Sequence, residues 1–314
     1  MAIFLNILLL IVGFVLLIKG ADFFVDGSSS VARHLGIPAF VVGLTIVAMG
    51  TSAPEAAVSI SAGIAGSNEL AISNVIGSNI FNLLVVAGLC AVIKPYTVED
   101  VMLKRDFPVN IVSNVLLIIM MAIGNLLGYL NGLLLLIGII TYVLFVVLKA
   151  IKHRTHDEDD EIKKISPVVS VILIIVGLAM VIFGGDMVVD NATALAKELG
   201  WSEAFIGLTI VAIGTSLPEL VTSIVAARKG ESGLALGNVI GSNIFNILFI
   251  LGLSSSISAI PVDSAAIINC IIMLAVTALV YVACLVKKGM GRIVGSVCVL
   301  GYVAYTAYLL ITTI

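Results

Sequence analysis

Long apolar runs separated by short polar interruptions make up almost the whole chain. Ten such runs lie near residues 2–19, 38–64, 71–93, 107–125, 129–149, 167–185, 203–227, 234–258, 264–286 and 293–313. They are continuous over about 20 residues, the length a helix needs to cross hydrocarbon, and lack the ~10-residue alternation of barrel strands. Composition agrees. Apolar residues make up 61% and charged residues 11% of the 314 residues, against roughly 45–50% and about 25% in soluble proteins. The pattern predicts an all-α integral membrane protein with ten transmembrane helices and the lipid bilayer as its surroundings. A net charge of −3 with no basic stripe argues against a nucleic-acid partner. Met1 is followed by AIFLN, with no basic n-region, so the first segment is expected to be retained. Cys90, Cys270, Cys284 and Cys298 stand singly in apolar stretches and read as small hydrophobes.

Lys and Arg set the expected orientation. With both termini outside, every basic residue except Lys197 falls in an inner connection or at its edge, from Lys19 and Arg33 to Lys288 and Arg292. This split supports the count of ten as well as the direction. The polar run 152–164, with an acidic cluster from Asp157 to Glu161, reads as part of a solvated cytoplasmic linker, 151–165. It separates a first five-helix repeat, 1–150, from a second, 166–314.

The two halves repeat each other. GLTIVAMGTSAPE at 43–55 returns as GLTIVAIGTSLPE at 207–219, and GSNIFN at 77–82 returns unchanged at 241–246. The offset is 164 in both blocks, and 43–82 matches 207–246 at 26 of 40 positions. Asp22 and Asp26 return as Asp186 and Asp190. Five segments on each side of the linker make the second copy enter the membrane from the opposite face. The halves are therefore expected to be inverted repeats, an architecture of secondary transporters with ion sites near the midplane.

The repeated blocks carry the candidate chemistry. Glu55 and Glu219 lie inside long apolar segments, where a carboxylate costs at least ~2.5–3.5 kcal/mol on insertion scales and needs a partner. No Lys or Arg lies within an apolar core, which leaves a bound cation or a proton. Pro54 and Pro218 remove a backbone donor and clash with the carbonyl four residues back, predicting helix breaks near Gly50 and Gly214. A break releases carbonyl oxygens, tolerable at membrane depth only beside a cavity or a ligand. Thr51 and Ser52 lie four and three residues before Glu55, on one helix face, and Thr215 and Ser216 stand likewise before Glu219. Ser78 and Asn82 are four apart, as are Ser242 and Asn246. Gly77 and Gly241 are expected to let these helices approach closely. Carboxylates, hydroxyls, amide oxygens and carbonyls form an all-oxygen set, suited to Na⁺ and Ca²⁺.

GTSxPE with GSNxxN, repeated in ten inverted segments, resembles the sodium/calcium exchanger family of cation/calcium antiporters, with the short loops of its prokaryotic members. The resemblance covers nearly the whole chain and implies a multi-pass protein of the cell membrane. It implies that Glu55 and Glu219 bind Ca²⁺ and Na⁺ in alternation. Ser52, Ser216, Thr51 and Thr215 would be Na⁺ ligands, Ala48 and Ala212 would lend carbonyls, and Ser78, Asn82, Ser242 and Asn246 would complete the cluster. Segments one and six would slide or rock across a four-helix core. Some family members carry an aspartate where this chain has Asn246. Two carboxylates balance one Ca²⁺ or two Na⁺, which predicts a low charge imbalance per cycle, tending toward two Na⁺ per Ca²⁺.

Ca²⁺/Na⁺ antiport by alternating access, without a cofactor and without catalysis, is the leading reading. Ca²⁺/H⁺ or K⁺-dependent exchange through the same glutamates is the alternative. An intramembrane hydrolase using the paired glutamates is a reading of another class. It lacks a nucleophile–histidine pair, because His34, His153 and His156 lie at or beyond segment ends. Trp201, near a segment start, reads as an interfacial anchor.

Overall fold

The computed structural model describes residues 2–66, 68–152, 165–201, 210 and 212–313. The linker's acidic cluster, His153, His156 and much of the seventh segment lie outside the described residues. Twelve helices account for most of the rest. They are α1 (Ala2–Leu35), α2 (Ala39–Thr51), α3 (Ala53–Ile64), α4 (Glu69–Ile93), α5 (Met102–Ala122), α6 (Tyr129–Lys152), α7 (Pro167–Glu198), α8 (Ala212–Gly214), α9 (Leu217–Lys229), α10 (Ser232–Ile257), α11 (Ser264–Lys287) and α12 (Arg292–Thr313). Among the described residues, eight helices are long and apolar enough to span a membrane. A ninth span is α2 joined to α3 across a 48° bend. The tenth expected span contributes α8 and α9. α4 and α10 are mostly buried at the centre, while α1 and α12 expose most of their surface, including Phe4, Ile11, Val15 and Ile293.

Two small sheets express the inversion. β1 (Tyr96–Thr97) pairs antiparallel with β4 (Gly289–Met290), and β2 (Leu126–Leu127) with β3 (Ile260–Pro261). Each sheet takes one strand from each half. In the first half β1 and β2 sit at opposite ends of α5, and in the second half β3 and β4 sit at opposite ends of α11. The two sheets therefore cap opposite faces of the bundle, one joining α4–α5 to α11–α12, the other joining α5–α6 to α10–α11. A pseudo-two-fold axis lying between the faces exchanges them.

Hydropathy underestimates two helices. The first segment was expected to end at 19 and the sixth at 185, but α1 has 34 residues and α7 has 32. Polar residues carry both onward. At the linker face, Lys229 at the end of α9 lies 3.3 Å from Asp22 and 2.8 Å from Asp26 of α1. Arg33 reaches Glu231 at 3.3 Å. The position matching Lys229 in the first half is Ala65, so Asp186 and Asp190 on α7 have no equivalent lysine.

A second departure lies at the start of α5. The expected segment began at 107, but the helix starts at Met102 with a π turn, drawing Arg105 and Asp106 into the protein. Asp106 is fully buried and accepts from Arg105 Nε at 2.6 Å, Arg105 Nη2 at 3.0 Å and Tyr142 Oη at 2.9 Å. A carboxylate and a guanidinium are therefore present within the helical bundle after all, but they satisfy each other. Glu99, just before this helix, has its carboxyl pushed above the ordinary range by burial and by the nearby Asp106.

α1 and α7 pack against each other along much of their length, and a glycine every seven residues makes this possible. Gly13, Gly20 and Gly27 of α1 face Gly184, Gly177 and Ser170 of α7. A methyl group on Gly20 would stand 2.8 Å from the Gly177 carbonyl oxygen, and one on Gly177 would stand 2.5 Å from the Phe24 nitrogen. The backbones themselves are in contact, so a side chain at the seam forces the helices apart. Overpacking of this kind costs roughly 1–3 kcal/mol. Gly20→Val is expected to lower the melting temperature of the purified protein clearly. Gly128→Ala, where a Cβ meets nothing within 4 Å, is the control, and equal melting of the two variants would contradict the seam's role.

Candidate ion-binding site

The two helix breaks position the acidic residues. Between α2 and α3, Ser52 takes φ −81° and ψ 9°, and between α8 and α9, Ser216 takes φ −92° and ψ 8°. The breaks thus fall at Ser52 and Ser216, two residues past the expected Gly50 and Gly214. Pro54 and Pro218 occupy the first turns of α3 and α9, where a missing N–H is tolerated. The conflict with residues 50 and 214 is relieved by turning the chain at the serine between. Glu55 and Glu219 follow in the first turn of each new helix, the end that carries partial positive charge.

Both glutamates are fully buried, and their partners come from across the pseudo-two-fold. Ser52 Oγ donates to Glu219 Oε1 at 2.8 Å, and Ser216 Oγ donates to Glu55 Oε1 at 2.8 Å. Helical spacing had suggested that each serine serves the glutamate of its own half. The break at the serine swings its hydroxyl toward the opposite half instead. Ser78 and Ser242 complete the contacts, each 3.5 Å from the Oε1 of its own half's glutamate. Ser216 Oγ also lies 3.1 Å from Ser78 Oγ.

Asn82 and Asn246 open the π turns Asn82–Val86 and Asn246–Leu251 within α4 and α10, irregularities that recur at functional positions. Both side chains are fully buried. Among the described residues, these four oxygens have no hydrogen-bond partner: Glu55 Oε2, Glu219 Oε2, Asn82 Oδ1 and Asn246 Oδ1. They form two pairs related by the repeat. Buried oxygens are rarely left unpaired.

The remaining expected residues divide. The Thr51 hydroxyl lies 3.1 Å from Val47 O and 3.0 Å from Asn238 Oδ1 of α10, acceptors that share its one proton. Thr215 Oγ1 is buried without a partner among the described residues. Ala48 is buried, and its carbonyl accepts from the Ser52 nitrogen at 3.0 Å. Ala212 begins α8, and its surroundings lie outside the described residues. Gly241 is pressed onto α2, where a Cβ would stand 2.7 Å from Leu44 Cα; the position opposite Gly77, residue 208, is not among the described residues. Near the second break, Val188, Val189, Trp201, Ile210, Ile213, Gly214 and Leu217 line an apolar cavity of about 320 Å³.

Sequence reasoning passed over a supporting shell. Asn74 Nδ2 donates to Ser59 Oγ at 3.0 Å, and Asn238 Nδ2 donates to Ser223 Oγ at 3.0 Å. These bonds tie α3 to α4 and α9 to α10. Asn79 and Asn243 link the two halves directly. All six residues obey the 164-residue offset, so the signal was present in the repeat.

Comparison with known proteins follows the same lines. A family model described as sodium/calcium exchanger protein matches residues 5–149 and 169–311. The chain belongs to the sodium/calcium exchanger family. It is 36% identical over 288 residues to the sodium/calcium exchanger MaX1 of Methanosarcina acetivorans, covering 79% of this chain and 82% of that one. It is 37% identical over 266 residues to the inner membrane protein YrbG of Escherichia coli (strain K12), covering 82% of each. The fold superimposes on the sodium-calcium exchanger NCX_Mj with a TM-score of 0.86 at 33% identity, over 97% of this chain and 98% of that one. Membership places the chain among ten-helix inverted-repeat membrane transporters, with helices 2 and 7 broken at the ion site, and sets aside the intramembrane hydrolase.

Proposed function

We propose that this protein exchanges Ca²⁺ for Na⁺ by alternating access, binding both ions between Glu55 and Glu219. The observation that carries this reading is the set of four unpaired buried oxygens. Glu55 Oε2, Glu219 Oε2, Asn82 Oδ1 and Asn246 Oδ1 accept but cannot donate when the glutamates are ionised. A cation satisfies such a set and, between two carboxylates, also neutralises their charge. Ser52, Ser78, Ser216 and Ser242 add four hydroxyl oxygens, within the 6–8 ligands that Ca²⁺ takes. Thr51, Thr215 and the carbonyls of Ala48 and Ala212 stand close enough in sequence to the breaks to serve Na⁺ ions flanking the centre. The names of MaX1 and NCX_Mj favour Na⁺ over H⁺ as the counter-ion.

The test is radioactive Ca²⁺ uptake into proteoliposomes under imposed Na⁺, K⁺ or H⁺ gradients. Uptake driven by an outward Na⁺ gradient alone is expected, and uptake driven only by H⁺ would replace this reading with proton exchange. Glu55→Gln and Glu219→Gln each remove one charge from a site whose ion carries two. Each is expected to abolish Ca²⁺ flux while the protein still accumulates in the membrane. Asp106 offers no substitute, since Arg105 and Tyr142 already hold it.

The site's charge bears on stoichiometry. Two carboxylates neutralise one Ca²⁺ or two Na⁺, so exchange near two Na⁺ per Ca²⁺ is expected. Moving one net charge is worth about 2.3 kcal/mol per 100 mV, so clamped potentials separate the cases. A reversal potential matching three Na⁺ per Ca²⁺ would mean that the asparagine oxygens suffice for an extra ion.

The basic residues support an orientation with both termini outside, the 1–150 and 166–314 repeats spanning the membrane, and linker 151–165 in the cytoplasm. Single cysteines at positions 68 and 155, on a cysteine-free background, are expected to react with an impermeant reagent from opposite sides. Reaction of both from one side would reject the orientation.

A further inference from the structure

Between the broken helices, α4 and α10 cross at four asparagines, all 0–1% exposed. Asn79 Nδ2 donates to the backbone carbonyl of Asn243 at 3.1 Å, and Asn243 Nδ2 donates to that of Asn79 at 3.2 Å. Asn246 Nδ2 donates to Asn79 Oδ1 at 3.0 Å, and Asn82 Nδ2 donates to Asn243 Oδ1 at 3.2 Å. Among the described residues, nothing donates to Asn82 Oδ1 or Asn246 Oδ1.

The direction of each amide follows from this order. A backbone carbonyl can only accept, so Asn79 and Asn243 must turn their nitrogens toward it. Their oxygens then face Asn246 and Asn82. An oxygen there can be met only by a donor, so Asn246 and Asn82 must offer nitrogen to it. Their own oxygens are left pointing away. Two backbone carbonyls, acting through two amides, thus fix what the remaining two amides present.

We infer that Asn79 and Asn243 are positioning residues that lock Asn246 and Asn82 as acceptor-only ligands of the transported cation. This rests on the proposed site, and extends it to residues that do not touch the ion. An unrestrained asparagine can turn either its oxygen or its NH₂ toward a ligand, and NH₂ repels a cation. The lock removes the second choice before the ion arrives. It also matches the neutral residues found at 82 and 246: an aspartate at 246 has no N–H for Asn79 Oδ1, and Asn79 could serve it only by turning away from the Asn243 carbonyl.

A residue that acts only through another has a distinct signature. The half-saturating Ca²⁺ concentration (K0.5) and the maximal Na⁺-driven flux are measured in proteoliposomes for Asn79→Ala, Asn246→Ala and the double variant. Asn79→Ala is expected to raise K0.5 by about tenfold, as loss of supporting partners does at metal sites, with maximal flux and melting temperature little changed. The double variant is expected to match Asn246→Ala alone, because there is no longer an oxygen to position. Multiplication of the two effects in the double variant, or an unchanged K0.5 in Asn79→Ala, would overturn the inference. Asn79→Asp keeps the size and the acceptor for Asn246, and is expected to leave K0.5 no higher than in the unaltered protein. A raised K0.5 in this variant would count against the inference even if Asn79→Ala does not fold. Asn243→Ala with Asn82→Ala repeats the cycle in the other half. Failure of the underlying site reading looks different: Glu55→Gln would then retain Ca²⁺ flux, whatever the asparagine variants do.

Discussion

Moving a carboxylate from water into the hydrocarbon interior costs at least ~2.5–3.5 kcal/mol on insertion scales, and this chain brings two to the same place without a lysine or arginine beside them. The arrangement of the core answers to that cost. Helix breaks put Glu55 and Glu219 at first turns, where backbone N–H groups favour negative charge. Serines from the opposite half donate to one oxygen of each, and the other has no partner among the described residues. Elsewhere the same cost is met in another way, by pairing Asp106 with Arg105 and Tyr142. One carboxylate is held permanently by its neighbours, and two are left partly unsatisfied at the centre.

Cross-pairing of the halves has a mechanical meaning. Since Ser52 serves Glu219 and Ser216 serves Glu55, neither half holds a complete site. The contacts that bind α2 to α9 are also those that tune the glutamates. The match between the halves is not perfect, however. Thr51 bonds across to Asn238, while Thr215 has no partner among the described residues. Lys229 grips α1 at the linker face, while Ala65 stands at the matching place in the first half. The two ends of the molecule therefore differ at this position.

Much of this was legible in the sequence. Apolar runs marked the helices, and a repeat at constant offset marked both the inversion and the central residues. What escaped has physical causes. Hydropathy stops at Lys19 and at Gly185, but a helix continues wherever its polar residues find partners, as Asp22 and Asp26 do. Spacing along one helix shows which residues share a face, and cannot show that a bend at Ser52 redirects its hydroxyl to the other half. The π turns at Asn82 and Asn246 leave no mark in composition. Asn79 and Asn243 were visible in GSNIFN, yet lay between the serine and asparagine that spacing singled out.

The glycine seam between α1 and α7 has a property that neither helix has alone. Gly13 meets Gly184 and Gly20 meets Gly177, while the repeat relates 13 to 177 and 20 to 184. Turning the pair about the pseudo-two-fold returns the same contacts. That is the geometry of an isologous interface, in which one surface binds a copy of itself. Two copies of one half in opposite orientations would present the central glycines of this seam to each other. The seam keeps this symmetry although the copies differ elsewhere, with a lysine at 229 in one and an alanine at 65 in the other.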